Sequence, residues 1–155
     1  MLFRSLIKLL TEVEDINSGE PITYFEILTA AYFYNAKKFK NNINLIESGL
    51  FHRADACSII KSNLASIITV IGLDHLDWLP KNEQTIDKII FEKTSSLLNS
   101  KIIIAKQANT ETLNIIKKNI SSNNSKKIIF NEQFSFSENE NGFVYYEDED
   151  RKSVV

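Results

Sequence analysis

Apolar and polar residues alternate along this chain with two different periods. Leu2, Leu6, Leu9, Leu10 and Val13 form one stripe at helical spacing. Asn17-Ser-Gly-Glu-Pro21 then reads as a turn, and Thr23-Tyr-Phe-Glu26 has the Ser/Thr-x-x-Glu spacing of a capping box, which predicts a helix start. Phe25, Leu28, Tyr32, Ala36 and Phe39 continue that helix, with Lys37, Lys38 and Lys40 near its negative end. Beyond it the pattern shortens to apolar runs, which predict strands at 43–47, 67–73, 101–105 and 127–130. Helical patterns intervene at 85–98 (Ile86, Ile89, Ile90, Leu97) and 110–120 (Leu113, Ile116, Ile120). Successive strand–helix–strand units predict an α/β fold, a mostly parallel sheet flanked by helices with right-handed crossovers. Asn141-Gly142 between alternating aromatics predicts a hairpin over 134–146, and the charged, aperiodic 147–155 reads as a disordered tail.

A length of 155 residues fits a single domain, able to bury about 68 to 70% of its unfolded surface. A net charge of -2 offers no basic footprint for nucleic acid or an anionic membrane, so neither is an expected partner. Cys57 is the one cysteine, which rules out an internal disulfide and a Cys-rich zinc site and suits a reducing, cytoplasmic compartment. The apolar run Leu64–Leu73 is broken by Ser66 and Thr69 and is far below the ~20 residues of a membrane span. Met1–Leu10 is interrupted by Arg4 and Lys8 and has no cleavage site, so it reads as a helix and not as a secretion signal. A soluble protein is expected.

In open parallel sheets, ligands bind beyond the carboxyl ends of the strands. Glu47 and His75 fall where two such ends are expected, and a carboxylate with an imidazole can hold a divalent cation whose octahedron is completed by phosphate and water. Taken singly, each also reads as a locally hydrogen-bonded loop residue. Arg53 and Asp55 are spaced for a loop ion pair worth about 0–1 kcal/mol. Lys93 reads as a solvated helix lysine. Cys57 has no activating neighbour in sequence, which points to a buried, neutral thiol.

Four stretches in order, Thr23-Tyr-Phe-Glu26, Glu47-Ser-Gly-Leu-Phe-His-Arg-Ala-Asp-Ala56, Ile71-Gly-Leu-Asp-His75 and Thr85-Ile-Asp-Lys-Ile-Ile-Phe-Glu-Lys93, resemble the folylpolyglutamate synthase and dihydrofolate synthase branch of the Mur ligase superfamily. The resemblance spans about residues 15–120 and implies part of a central ATP-binding domain, with a P-loop NTPase-like sheet. In such enzymes ATP phosphorylates a carboxylate of folate or dihydropteroate, and the amine of glutamate attacks the acyl phosphate. By resemblance, Glu47 and His75 correspond to Mg2+ ligands and Lys93 to a carbamylated catalytic lysine. Thr23, Tyr24, Phe25 and Glu26, with Ala54, Asp55 and Ala56, correspond to pterin-contacting segments.

The chain also departs from that pattern. Phe51-His52 replaces the family's Gly-Gly before the arginine, and Asp55-Ala-Cys-Ser58 replaces Asp-Ala-Thr-Asn. Pro80-Lys-Asn lengthens the segment after His75, and Thr94-Ser-Ser replaces Ala-Gly-Ile. No Gly-x-x-x-x-Gly-Lys-[Ser/Thr] phosphate loop occurs in the sequence. The expectation is therefore a truncated ligase chain that does not form the amide bond by itself, and that self-associates or pairs with a complementary fragment. The rival expectations are a non-catalytic remnant or interaction module of the same fold, and a fragment of another Mur-type amino-acid ligase.

Overall fold

The computed structural model describes residues 2–140, 142–147 and 150–154. The chain divides into two compact units, Met1–Gly49 with Asp55–Ile59, and Leu50–Ala54 with Ile60–Val155.

The first unit is built on α1 (Leu2–Asn17) and α2 (Tyr24–Ala36), which pack on each other. The predicted capping box forms: Glu26 N donates to Thr23 Oγ1 at 3.2 Å, and Thr23 N donates to Glu26 Oε2 at 2.8 Å. The Thr23 hydroxyl, donating to Glu26 Oε2 at 2.6 Å, and after it the Thr23 N–H hold the Glu26 carboxyl below its ordinary range. The helix stops at Ala36, where the Lys37 N–H turns back to the Phe33 carbonyl. Lys37 and Lys38 thus follow the helix, and their ammonium groups lie over the Tyr34 ring at 4.0 and 5.4 Å. The strand expected at 43–47 is absent. Ile43 and Leu45 are 82% and 89% exposed, and Asn41, Asn42 and Asn44 surround them with a residue type that strands disfavour. A two-residue apolar alternation with no ladder partner does not hold an extended chain in place.

The second unit carries the α/β architecture. Three parallel strands, β1 (Ala65–Ile68), β2 (Lys101–Ile104) and β3 (Lys127–Ile129), lie in the order β1-β2-β3. They are joined by α3 (Ile86–Thr94) and α4 (Thr110–Asn119). The strands at 67–73, 101–105 and 127–130 are found, each shortened, and the first begins and ends earlier than the apolar run suggests. The helices begin on side-chain caps, Thr85 Oγ1 accepting from Lys88 N and Asn109 Oδ1 from Thr112 N.

Register explains the core. Ile68, Ile104 and Ile129 are mutual partners across the sheet and are buried, together with Ile102, under Ile89 and Ile90 of α3 and Ile116 of α4. The alternate row, Ile67–Ile103–Ile128, points to the opposite face, where Ile67 is 56% exposed. Both helices therefore cover one face, where the run of isoleucines predicts burial on two.

The hairpin expected at 134–146 is present as β4 (Phe134–Asn139) and β5 (Gly142–Glu147), antiparallel, with Asn141 of its turn outside the described residues. Phe130, Phe134, Phe136, Phe143 and Tyr145 form a chain of ring contacts along it. Within the stretch expected to be disordered, β6 (Asp150–Val154) pairs antiparallel with β5, so the ladder bonds of β5 outweigh the weak apolar content of that segment. Asp148, Glu149 and Val155 lie outside the described residues.

The two sheet faces predict unequal responses. Ile104→Ala should cost about 2–5 kcal/mol, because it opens a cavity in a fully buried layer, while Ile67→Ala on the open face should cost about 1 kcal/mol or less. Urea unfolding of the two variants checks this; equal costs would mean that both faces are packed.

Candidate functional site

In the second unit the segment Leu50–Ala54 is fastened to α3 by a buried acid. Glu92 is 4% exposed, and its carboxylate takes Arg53 Nε at 2.6 Å and Nη2 at 3.1 Å, a bidentate pair. The Arg53 backbone N–H also donates to the Glu92 carbonyl at 2.9 Å. Lys88, one helical turn earlier, approaches Glu92 Oε1 at 3.3 Å and Glu83 Oε2 at 2.7 Å. Hydrogen bonding from Arg53 is the main influence holding the Glu92 carboxyl below its ordinary range; burial opposes it, and Lys88 adds to it. The ion pair expected between Arg53 and Asp55 is not formed. A neighbour two residues away in a loop competes poorly with a carboxylate that burial leaves short of partners.

His75 does not end a strand. It stands seven residues beyond β1, in a left-handed conformation (φ 57) at the head of a single 3-10 turn, Leu76–Trp78. Its Nε2 is 3.2 Å from Asp74 Oδ2, its N–H donates to Asp74 Oδ1 at 2.8 Å, and Phe51 meets the imidazole edge-on at 6.0 Å. A proton on Nε2 shared with Asp74 leaves Nδ1 with the lone pair that a cation needs, the arrangement by which a carboxylate sets a ligating tautomer.

Lys93 is not solvated freely. Its Nζ donates to the Leu50 carbonyl at 3.2 Å and lies 5.8 Å from the centre of the Phe51 ring. A carbonyl oxygen and a ring face both favour a cation.

In the first unit, Glu47 lies in irregular chain and is exposed, and among the described residues its carboxylate makes no hydrogen bond or ion pair. The matched pterin-contact residues divide between the units, Ala54 in the second and the rest in the first. Asp55 spends both oxygens on backbone: Oδ2 accepts from Gly49 N and Oδ1 from Cys57 N, each at 2.8 Å. Cys57 is buried as expected, and burial first, with Asp55 beside it, pushes its thiol up to about 11. The Thr23 hydroxyl and Glu26 carboxylate are occupied with each other, but Tyr24 is 79% exposed and Phe25 48%. Among the described residues no cluster of three or more His, Cys, Asp or Glu side chains forms a metal centre. A carboxylate such as that of Glu47 and an imidazole such as that of His75 are each donors of a type that can bind a divalent cation. Among the described residues no helix is long and apolar enough to cross a membrane.

Sequence patterns alone missed Glu92, Lys88 and Asp74. Glu92 does carry a signal, since it falls three residues after Ile89, at the border of the apolar side of α3, where an acid needs a partner.

The fold is shared with solved ligases. The structure superposes with a TM-score of 0.75 on the apo form of L. casei folylpolyglutamate synthase, at 19% identity, covering 92% of this chain and 35% of that one. It superposes equally well, at 22% identity, on the bifunctional folylpolyglutamate synthase/dihydrofolate synthase of Yersinia pestis solved with AMPPNP and an Mn ion, covering 94% of this chain and 34% of that one. The architecture is accordingly that of the corresponding part of these synthases. In sequence, the chain is 40% identical over 79 residues to the dihydrofolate synthase/folylpolyglutamate synthase of Haemophilus influenzae, covering 51% of this chain and 17% of that protein. It is 34% identical over 100 residues to the same enzyme of Bacillus subtilis, covering 64% of this chain and 22% of that protein. Over this shared stretch the chain is similar to the curated dihydrofolate synthase/folylpolyglutamate synthases, and it spans about a fifth of their length. No family model matches the chain.

The lowered Glu92 carboxyl makes stability depend on acid. Its ordinary value is 4.5, and folding depresses it, so the contribution is complete above that value and is lost as pH falls through the lower, folded one. Urea unfolding followed from about pH 7 to pH 3 should show a shallower acid loss in Glu92→Gln than in the unsubstituted chain, with lower stability at neutral pH. Parallel curves would show that Arg53 does not hold the carboxylate in solution.

Proposed function

We propose that the chain forms part of an ADP-forming acid–amino-acid ligase of the folylpolyglutamate synthase/dihydrofolate synthase kind. One observation supports this above the rest: three of the family-like stretches meet within the second unit, with Phe51 against His75, Leu50 on Lys93 and Arg53 on Glu92. The reaction would proceed in two steps. A carboxylate oxygen of folate or dihydropteroate attacks the γ-phosphorus of ATP and ADP departs; the glutamate amine then attacks the acyl carbon and phosphate departs. Relatives support this choice of substrates, since solved homologues include a complex of folylpolyglutamate synthase with AMPPCP and folate.

Each residue has a part in this reading. Glu47 offers an uncommitted carboxylate, and Asp74 orients His75 through Nε2. A bound Mg2+ would supply charge neutralisation at the transferring phosphoryl group. The exposed rings of Tyr24 and Phe25 offer stacking surface for a pterin, whereas Asp55 acts through the backbone that it shapes. Lys93, bonded to the Leu50 carbonyl beside the Phe51 ring, stands at the edge of the site. A second reading, a non-catalytic module of the same fold, draws on Phe51-His52, which put bulk where the family pattern has Gly-Gly.

A chimaera distinguishes the two. With this chain replacing the matching segment of the Haemophilus influenzae enzyme, ADP and conjugate formation from ATP, glutamate and dihydropteroate is the expected result. Glu47→Gln or His75→Ala should then lower kcat/KM by at least about 100-fold, the upper end of what losing a ligand's supporting group does. A chimaera that folds by circular dichroism yet makes no conjugate would favour the non-catalytic module.

A further inference from the structure

The turn that carries His75 is held at both ends by glutamine side chains that the family resemblance does not single out. β1 stops at Ile68, and the last backbone bond between β1 and the chain after β2 runs from Ala105 N to Ile68 O at 2.9 Å. Gln107 takes over beyond that point. Its Oε1 accepts from Ile71 N at 3.1 Å, and its Nε2 donates to Thr69 O at 3.0 Å and Ala105 O at 2.9 Å. Thr69 O and Ile71 N flank Val70 as the acceptor and donor that one residue of a parallel neighbour would satisfy. The side-chain amide carries the same groups as a peptide and stands in for the missing ladder residue.

At the other end Gln84 spends both N–H groups on carbonyls, Leu76 O at 2.9 Å and Leu79 O at 3.2 Å, which ties down the 3-10 turn that starts just after His75. Ile71 is buried and Leu76 packs on the same core. Between these anchors run only Gly72, Leu73, Asp74 and His75, with His75 left-handed and its ring set against Phe51.

We propose that Gln107 and Gln84 are positioning residues that fix the two ends of the Gly72–His75 turn and thereby set where the His75 imidazole stands. The functional meaning rests on His75 being a cation ligand, as argued above; the geometric claim does not.

Proton NMR of the 155-residue chain tests both separately. The sequence has two histidines, so His52→Gln assigns the His75 ring resonances. Gln107→Glu keeps the acceptor for Ile71 but turns two donors into repulsion, and Gln107→Leu removes all three bonds. Either should shift the His75 ring resonances and speed amide exchange at Ile71 at least tenfold. Gln84→Met should move the His75 resonances while leaving Ile71 protected, and it carries the test if the Gln107 variants do not fold. Asn123→Ala is the control: Asn123 makes the same kind of clamp on Leu97 O and Leu98 O, so its loss should lower Tm without moving His75. Unchanged His75 resonances in folded Gln107 or Gln84 variants, or an equal shift in Asn123→Ala, would overturn the proposal. Mn2+ added with AMPPNP reports on the ligand role alone: broadening of His75 supports it, and its absence would sink the cation reading while leaving the result on the glutamines standing.

Discussion

The second unit depends on one layer of isoleucines, Ile68, Ile104 and Ile129, clamped between three short parallel strands and two crossover helices. Strands of three or four residues have few ladder bonds, so burial must do most of the work of keeping them parallel and in register. The β-branched side chain suits that task because its few rotamers lose little freedom on a pleated surface. Register then fixes everything downstream. A shift of one residue would bring Ile67, Ile103 and Ile128 to the helix side and send the chain leaving β1 toward the wrong face.

Onto that layer the chain adds polar fasteners, each answering a backbone or charge that burial leaves short of a partner. Glu92 ties Leu50–Ala54 to α3 through Arg53, and Asp55 closes its own loop in the first unit through two backbone N–H groups. The oxygens of both acids are already engaged within the fold. Glu47, with no such engagement, is the more available oxygen donor.

Much of this was readable from residue order. The capping box at Thr23–Glu26, the alternating helices and strands from β1 onward and the aromatic hairpin all arise from local patterns, and local patterns survive in the structure. What failed were inferences needing a partner distant in sequence. Ile43–Glu47 looks like a strand only until one asks what it pairs with, and Arg53 looks bound to Asp55 until Glu92, thirty-nine residues away, competes for it. The left-handed backbone at His75 has no signature in the sequence. The partners of Lys93, the Leu50 carbonyl and the Phe51 ring, likewise lie far away in the chain.

The left-handed backbone at His75 separates two things that usually drift together. Residues tolerant of that conformation, glycine and asparagine above all, could replace the histidine and leave the turn undisturbed. A lineage could therefore discard the imidazole by a single substitution while inheriting the whole architecture, isoleucine layer and fasteners included. For a chain of this kind, retained shape is weak testimony to retained chemistry, and the identity of one residue in one turn says more about ancestry in use than the superposition of the remainder.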